Sequence, residues 1–178
     1  MKTVFLDKDG ALVHDNPCNV EPRCITLCNG AGPALRLLAR LDFRFIIVSD
    51  QAAIGHGQVD EAAMAPVAHW LGELMLRERV ALDGFYYCPH HPKGSVRRYA
   101  FACFCRKPQP GLLLKAANEH QIDLHSSWMV GARLQTSRRA TAPVAAPCWS
   151  TMASKPNGGW ARAECRPASP PICTPPPC

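Results

Sequence analysis

Short runs rich in apolar residues lie at 4–6, 44–49 and 128–131; the first two are followed by an aspartate, and the third ends in glycine. Their length and their branched or aromatic side chains are typical of buried strands. Between these runs, apolar residues recur every three or four positions, which predicts helices over 32–41, 60–79 and 111–121. This alternation of strands and helices predicts an α/β fold with a mostly parallel sheet.

Two segments interrupt this pattern. Residues 14–28 have little periodicity, so we expect an extended loop over the end of the first strand, and Pro66 should kink or break the second helix. Residues 136–178 hold nine of the 17 prolines and no Leu, Phe, Tyr or Asp. Such a composition cannot bury much apolar surface. The sequence therefore predicts a folded domain over 1–135 and a disordered or non-native tail over 136–178.

Charge and composition narrow the functional class. The net charge is +6, but residues 1–135 hold 15 Lys and Arg against 13 Asp and Glu, so we expect no nucleic-acid surface on the folded part. No apolar run is long enough to span a bilayer, and acidic residues occupy the place of a signal peptide's apolar core. We expect a cytoplasmic monomer. Its ten cysteines are better explained as reduced thiols or metal ligands than as a disulfide scaffold.

Two carboxylates, Asp7 and Asp9, follow the first predicted strand, and Gly10 comes directly after them. Open α/β sheets place their chemistry at such strand ends. One carboxylate can form an acyl phosphate, and a second can donate and accept protons. A solvated turn is the alternative interpretation. The loop that follows carries three candidate substrate contacts, with an ordinary solvated loop as the alternative: Asp15, Asn16 and Cys18.

The most specific pattern is a metal-ligand spacing between residues 88 and 105. Cys-x-His is followed, after twelve residues, by Cys-x-Cys, which predicts a tetrahedral Cys₃His zinc site made of Cys88, His90, Cys103 and Cys105. Thiolates and imidazole suit zinc better than magnesium or calcium. Four protein ligands leave no position for water, so the zinc should be structural. His91 is the neighbouring alternative, which we expect to be outside the ligand set.

Arg106 and Lys107 come immediately after the last of these ligands. Cations on a loop fixed by a metal are well placed to neutralise phosphate oxygens as charge develops during phosphoryl transfer. Elsewhere such a pair would usually be solvated. Its position after Cys-x-Cys favours a functional role.

Four segments together resemble the D,D-heptose 1,7-bisphosphate phosphatases of the haloacid-dehalogenase-like (HAD-like) superfamily, with histidinol-phosphate phosphatases as close relatives. They are DKDG, VSDQ, CPHH with CFCRKPQPG, and WMVG. The resemblance covers 1–135 and implies a Rossmann-like three-layer sandwich. It also implies a Mg²⁺-dependent phosphatase of carbohydrate metabolism, in lipopolysaccharide precursor synthesis, acting on a small-molecule sugar phosphate.

The resemblance also implies roles by matched position. Asp7 would be the nucleophile and a Mg²⁺ ligand, while Asp9 would be the general acid and base and a Mg²⁺ ligand through its main-chain carbonyl. The end of the second strand, Ser49, Asp50 and Gln51, would bind substrate, with the hydroxyl on the phosphate. Lys107 would hold phosphate, and Arg106 would recognise the sugar phosphate.

The sequence departs from the family pattern at three positions. Asp50 stands where relatives carry a neutral amide, and its charge should repel phosphate. Ala132 and Thr136 stand where the family has acids, the first of which completes the Mg²⁺ site. Because magnesium is held by only one or two carboxylates, this loss should impair turnover. A degenerate, non-catalytic zinc protein and a histidinol-phosphate phosphatase are therefore alternatives.

The tail has a genetic explanation. Permitted codons for 135–158, read from the third base of each codon, can encode DVEAGHRAGCRAVLVDNGEQTEW. This string resembles the family's continuation, with a helix-like first half and an apolar strand. We hypothesise that one nucleotide was lost near codon 136. Ala132 precedes that point and is a separate substitution.

Overall fold

The sheet that organises the chain is parallel throughout its described part. The computed structural model describes residues 2–16 and 20–131 and, for the backbone alone, 152–154 and 160–162. The sheet has the order β3-β2-β1-β4, and every pairing in it is parallel. Its strands are β1 (Thr3–Asp7), β2 (Arg44–Asp50), β3 (Gly84–Cys88) and β4 (Trp128–Val130). This confirms the predicted α/β class.

Helices cover both faces of the sheet. Residues alternate between the two faces along a strand, and in β1 Val4 and Leu6 join one apolar cluster while Phe5 joins the other. The first cluster includes residues of α1 (Ala31–Ala39) and α3 (Met64–Arg77), which flank the short helix α2 (Ala52–Gly55) in the chain. The second includes residues of α4 (Gly111–His120). The result is a three-layer sandwich, and none of its described helices has the length and hydropathy to cross a membrane.

β3 and the start of α3 differ from the sequence prediction, which also gives no helix at α2. The pattern of apolar runs predicts no strand at β3, whose residues Phe85, Tyr86 and Tyr87 are only partly buried and stand beside the cysteine-rich motif. Pro66 does not break the helix, because α3 starts at Met64 after a 3₁₀ turn over Glu61–Ala63. Proline is tolerated in a first helical turn, where its missing N–H has no intrahelical partner.

The chain divides into two compact units, Met1–Cys148 and Trp149–Cys178. The described backbone of the second unit forms two antiparallel strands, β5 (Met152–Ser154) and β6 (Trp160–Arg162). The boundary at residue 135 and the shifted reading frame stay predictions, and Thr136 lies outside the described residues.

Candidate active site and metal centre

Asp7 and Lys107, one hundred residues apart in sequence, form an ion pair at the carboxyl end of β1. The Lys107 Nζ lies 2.5 Å from Oδ1 of Asp7 and donates a second, longer hydrogen bond of 3.4 Å to the main-chain oxygen of Val48. The Asp7 and Lys107 side chains are only 15% and 16% exposed. A cation therefore lies against the carboxylate in a site largely removed from water.

The environment of Asp7 acts on its protonation in two opposing ways. Burial raises the pKa of the Asp7 carboxyl above its ordinary value, and the negative charges of Asp9 and Asp50 act in the same direction. Lys107 opposes them through its charge and its hydrogen bond. Without the lysine, the pKa of Asp7 would rise further and its carboxylate form would be harder to maintain.

Asp9 is held from both of its carboxylate oxygens. Its Oδ1 lies 2.8 Å from the Nζ of Lys8, and Oδ2 accepts hydrogen bonds from Gln51 Nε2 at 3.3 Å and from Ser49 Oγ at 3.5 Å. Gln51 Nε2 also donates to Ser49 Oγ at 2.7 Å. The side chain of Asp9 is 25% exposed, so it is fixed in orientation and still open to solvent.

Asp50 lies at the end of β2 and contacts the backbone of the basic loop, which carries Arg106 and Lys107. Its Oδ1 accepts a hydrogen bond from the main-chain N–H of Lys107 at 3.2 Å. Burial raises the pKa of Asp50, although the charge of Lys107 and that hydrogen bond act against the shift. The acid that departs from the expected pattern thus anchors the loop that carries Lys107.

The four predicted metal ligands converge on one point. The sulfur atoms of Cys88, Cys103 and Cys105 are 3.2 to 3.4 Å apart, and His90 Nδ1 is 3.2 Å from the sulfur of Cys105 and 3.6 Å from that of Cys88. All four ligand atoms lie within 4.8 Å of one another. Zinc–sulfur bonds of about 2.3 Å give a tetrahedron edge of about 3.8 Å. The cluster is therefore compatible with a tetrahedral zinc ion.

This cluster connects directly to the loop that carries Arg106 and Lys107. The Nη1 of Arg106 donates to the main-chain oxygen of His90 at 3.1 Å, and the main-chain N–H of Gln51 donates to the oxygen of Cys88 at 2.8 Å. At the start of α4, Gly111 lies so close to the backbone of the metal-ligand segment that an added Cβ would be 2.4 Å from the main-chain oxygen of Phe104. The position of Lys107 is thus set by the Cys₃His cluster, by the end of β2 and by the start of α4.

The remaining predicted contacts have other surroundings. Asp15 is exposed, and Asn16 donates through Nδ2 to the main-chain oxygen of Cys24 at 3.4 Å, while Cys18 lies outside the described residues. The ring of His91 packs at 4.5 Å from that of His56 instead of joining the cluster.

Two features of the site do not follow from the sequence pattern. Lys8 occupies the variable position between two acids in the motif, yet it is completely buried. The charge of Asp50 indicates repulsion of phosphate, but gives no sign of its anchoring contact with the basic loop. The buried position of Lys8 has a weak sequence signal, since a lysine directly between two acids has a counter-ion within reach.

Cysteine chemistry partly follows expectation. Cys28 and the three cysteines of the cluster are reduced, whereas Cys24 is disulfide-bonded, contrary to the expectation of reduced thiols.

No family model matches the chain. The D-glycero-beta-D-manno-heptose-1,7-bisphosphate 7-phosphatase of Escherichia coli (strain K12) is 37% identical over 139 residues, which are 78% of this chain and 73% of the relative. The enzyme of the same name from Pasteurella multocida (strain Pm70) is 36% identical over 134 residues, covering 75% of this chain and 72% of that enzyme.

Solved structures give the same result. A HAD-like phosphatase from Mesorhizobium loti superposes with a TM-score of 0.71 at 29% identity over 76% of this chain and 65% of that one. The D,D-heptose 1,7-bisphosphate phosphatase from B. bronchiseptica, complexed with magnesium and phosphate, gives a TM-score of 0.64 at 26% identity over 76% of this chain and 73% of that one. These relatives agree with the geometry of the site, in which Asp7 of β1 contacts the lysine that follows the Cys₃His cluster. The chain therefore belongs to the D-glycero-beta-D-manno-heptose-1,7-bisphosphate 7-phosphatases of the HAD-like superfamily.

Proposed function

We propose that this chain removes the 7-phosphate of D-glycero-D-manno-heptose 1,7-bisphosphate through an aspartyl-phosphate on Asp7. The observation that carries the proposal is the contact of 2.5 Å between Asp7 Oδ1 and Lys107 Nζ at the end of the central strand. It brings the proposed nucleophile and the proposed phosphate-binding cation together in one largely buried site. The relatives' substrate, as their names give it, supplies the identity of the sugar.

In the first half of the reaction, a carboxylate oxygen of Asp7 attacks phosphorus and the bond from phosphorus to the sugar oxygen breaks. Lys107 contacts the phosphate oxygens and neutralises the charge that they carry in the transition state. The hydroxyl of Ser49, 3.5 Å from Asp9, is placed to donate to another phosphate oxygen. Arg106 contributes recognition of the sugar phosphate from the same loop.

Asp9 transfers the protons. Protonated, it gives its proton to the departing sugar oxygen; ionised, it then takes a proton from the water that attacks the phosphorus of the acyl phosphate. The bond between phosphorus and Asp7 breaks, and inorganic phosphate leaves. Lys8, Ser49 and Gln51 hold the Asp9 carboxylate in place through both steps.

The donor set at the end of β1 fits a magnesium ion, which prefers oxygen ligands. The carboxylate of Asp7 and the main-chain carbonyl of Asp9 would hold the ion, which supplies positive charge beside the phosphate oxygens. At the Cys₃His cluster, a structural zinc ion would be held by Cys88, His90, Cys103 and Cys105. The two sites thus differ in ligand chemistry as their proposed metals do.

One residue favours the alternative of a chain that binds sugar phosphate and turns it over poorly. Ala132, which lies outside the described residues, offers a methyl group where the family pattern has an acid. Changes in the outer shell of metal sites already cost about 10–100-fold in affinity or activity, and the loss of a direct ligand should cost more. We therefore expect slow hydrolysis by the chain as it stands.

Phosphate release from purified protein with Mg²⁺ tests the proposal. The assay compares heptose 1,7-bisphosphate with histidinol phosphate, using the wild-type chain, Asp7→Asn and the exposed control Asp42→Asn, which lies outside the proposed site. Heptose-specific release that is lost in Asp7→Asn and kept in the control supports the proposal. A preference for histidinol phosphate would contradict the proposed substrate. Phosphate release that survives Asp7→Asn would contradict the proposed nucleophile.

A further inference from the structure

Lys8 is a completely buried ammonium group within the acidic motif at the end of β1. Its exposed fraction is 0%, and its Nζ lies 2.8 Å from Oδ1 of Asp9. Lysine is almost never fully buried unless it is paired, because removing an ammonium group from water is costly. The burial of Lys8 therefore needs compensation, and the neighbouring carboxylate supplies part of it.

Asp9 is contacted from two opposite sides. Lys8 holds Oδ1 from inside the protein, while Ser49 and Gln51 hold Oδ2 from the end of β2. Rotation of the carboxylate about its bond to the chain would break at least one of these contacts. The charge-assisted contact with Lys8 is the shortest of the three, and such hydrogen bonds are about twice as strong as neutral ones.

We propose that Lys8 is a positioning residue that fixes the direction in which Asp9 presents its proton to the leaving group. The inference rests on the proposed role of Asp9 as general acid. Lys8 lies inside the protein and contacts the carboxylate of Asp9, through which it would act on the reaction. Small errors in placing an acid reduce rate strongly, because proton transfer requires hydrogen-bond geometry with the reacting oxygen.

The leaving group provides a readout that a merely structural role would not move. An alkyl or sugar alkoxide needs a proton as it leaves, whereas p-nitrophenolate leaves readily without one. If Lys8 positions Asp9, Lys8→Met should lower kcat/KM for an alkyl phosphate by about 10²-fold or more, the usual range for general-acid catalysis, and change it much less for p-nitrophenyl phosphate. Equal losses on both substrates would overturn the proposal, because misfolding lowers both alike.

The matched control is Lys115→Met, which removes a lysine whose side chain is 63% exposed. It should leave kcat/KM unchanged for both substrates. Asp9→Asn should show the same leaving-group selectivity as Lys8→Met. If Asp9→Asn has no such selectivity while Asp7→Asn is inactive, the acid role of Asp9 fails and the nucleophile stands. If Asp9→Asn is selective and Lys8→Met is not, the positioning role alone fails.

A double-mutant cycle measured by thermal denaturation tests the contact between Lys8 and Asp9. It needs no activity measurement, which suits a chain that turns over slowly. Asp9→Asn should lower the melting temperature in the presence of Lys8, because it leaves the buried ammonium without this counter-ion. In the Lys8→Met background the same change should lower it less or not at all. Equal shifts in the two backgrounds would show that the two side chains are not coupled and would overturn the proposal.

Discussion

Lys107 Nζ lies 2.5 Å from Asp7 Oδ1, and the main-chain N–H of the same lysine donates to Asp50. One residue of the basic loop thus contacts the ends of two neighbouring strands. The lysine holds Asp7 through its charge, while its backbone is anchored by the acid at the end of β2. This relationship leads to specific expectations for each partner.

Removal of the Lys107 charge should impair phosphoryl transfer. Loss of one preorganised donor to a developing charge costs about 10²–10³-fold in kcat, so the kcat of Lys107→Met should fall by that amount. Steady-state kinetics with heptose bisphosphate provide the measurement. Lys93→Met, at an exposed position between the two halves of the Cys₃His cluster, is the control. A loss of less than tenfold in Lys107→Met would show that the ion pair with Asp7 is only structural.

Asp50→Asn should stabilise the protein, and increasingly so at higher pH. Because the pKa of Asp50 is raised in the folded state, the folded protein binds its proton more tightly than the unfolded chain does. The resulting stabilisation is fully present below the ordinary pKa of an aspartate and is lost as pH rises through the raised pKa. Asparagine does not titrate, and its side-chain oxygen can still accept the N–H of Lys107.

Thermal melting from pH 4 to pH 8 measures this difference. The melting temperature of Asp50→Asn minus that of the wild type should grow as pH rises. Asp42→Asn, at an exposed position outside the proposed site, is the control. A gap that shrinks with increasing pH would mean that Lys107 and Arg106 stabilise Asp50 as a carboxylate and that its pKa is lowered by folding.

The Cys₃His cluster should hold one zinc ion per chain and lose it with its ligands. Structural zinc contributes apparent binding free energies of about 10–16 kcal/mol in small zinc domains, so Cys103→Ser should greatly reduce thermal stability. Elemental analysis and melting curves, with and without a chelator, give the readouts. Cys28→Ser removes a reduced thiol outside the cluster and should keep the metal. Equal zinc content in the two variants would exclude the cluster as the site.

Ala132→Asp should increase activity, because it restores a carboxylate that the family pattern places at the magnesium site. We expect a gain of about tenfold or more in kcat/KM at limiting Mg²⁺ and a lower Mg²⁺ concentration for half-maximal activity. Titration of phosphate release with Mg²⁺ is the measurement, and Ala132→Asn tests the need for charge. No gain in Ala132→Asp would indicate that the tail after residue 135, and not this side chain, limits the activity.

Most of the fold follows from local sequence patterns. β1, β2 and the helices α1 and α4 are predictable because apolar runs and helical periodicity report burial directly. β3 is not, because its Phe-Tyr-Tyr segment is half-buried and overlaps the ligand motif. The start of α3 also escapes prediction, because a 3₁₀ turn shifts it so that Pro66 falls in the first turn.

The site is predictable where chemistry dictates spacing. Four ligands of one metal must converge, so the positions of Cys88, His90, Cys103 and Cys105 can be grouped from sequence. The contacts of Lys8 and Asp50 cannot, because they depend on which way a side chain points at the end of a strand. Both are charged residues whose burial is set by the neighbouring strand and loop.

The most direct test of catalysis through Asp7 is to trap the acyl phosphate. Protein mixed with heptose bisphosphate and Mg²⁺ is quenched with borohydride, which reduces an aspartyl phosphate to homoserine, and peptides are analysed by mass spectrometry. Homoserine is expected at position 7, with more of it in Ala132→Asp and none in Asp7→Asn. Phosphate release without any modification at position 7, or with the modification at another aspartate, would contradict the proposed nucleophile.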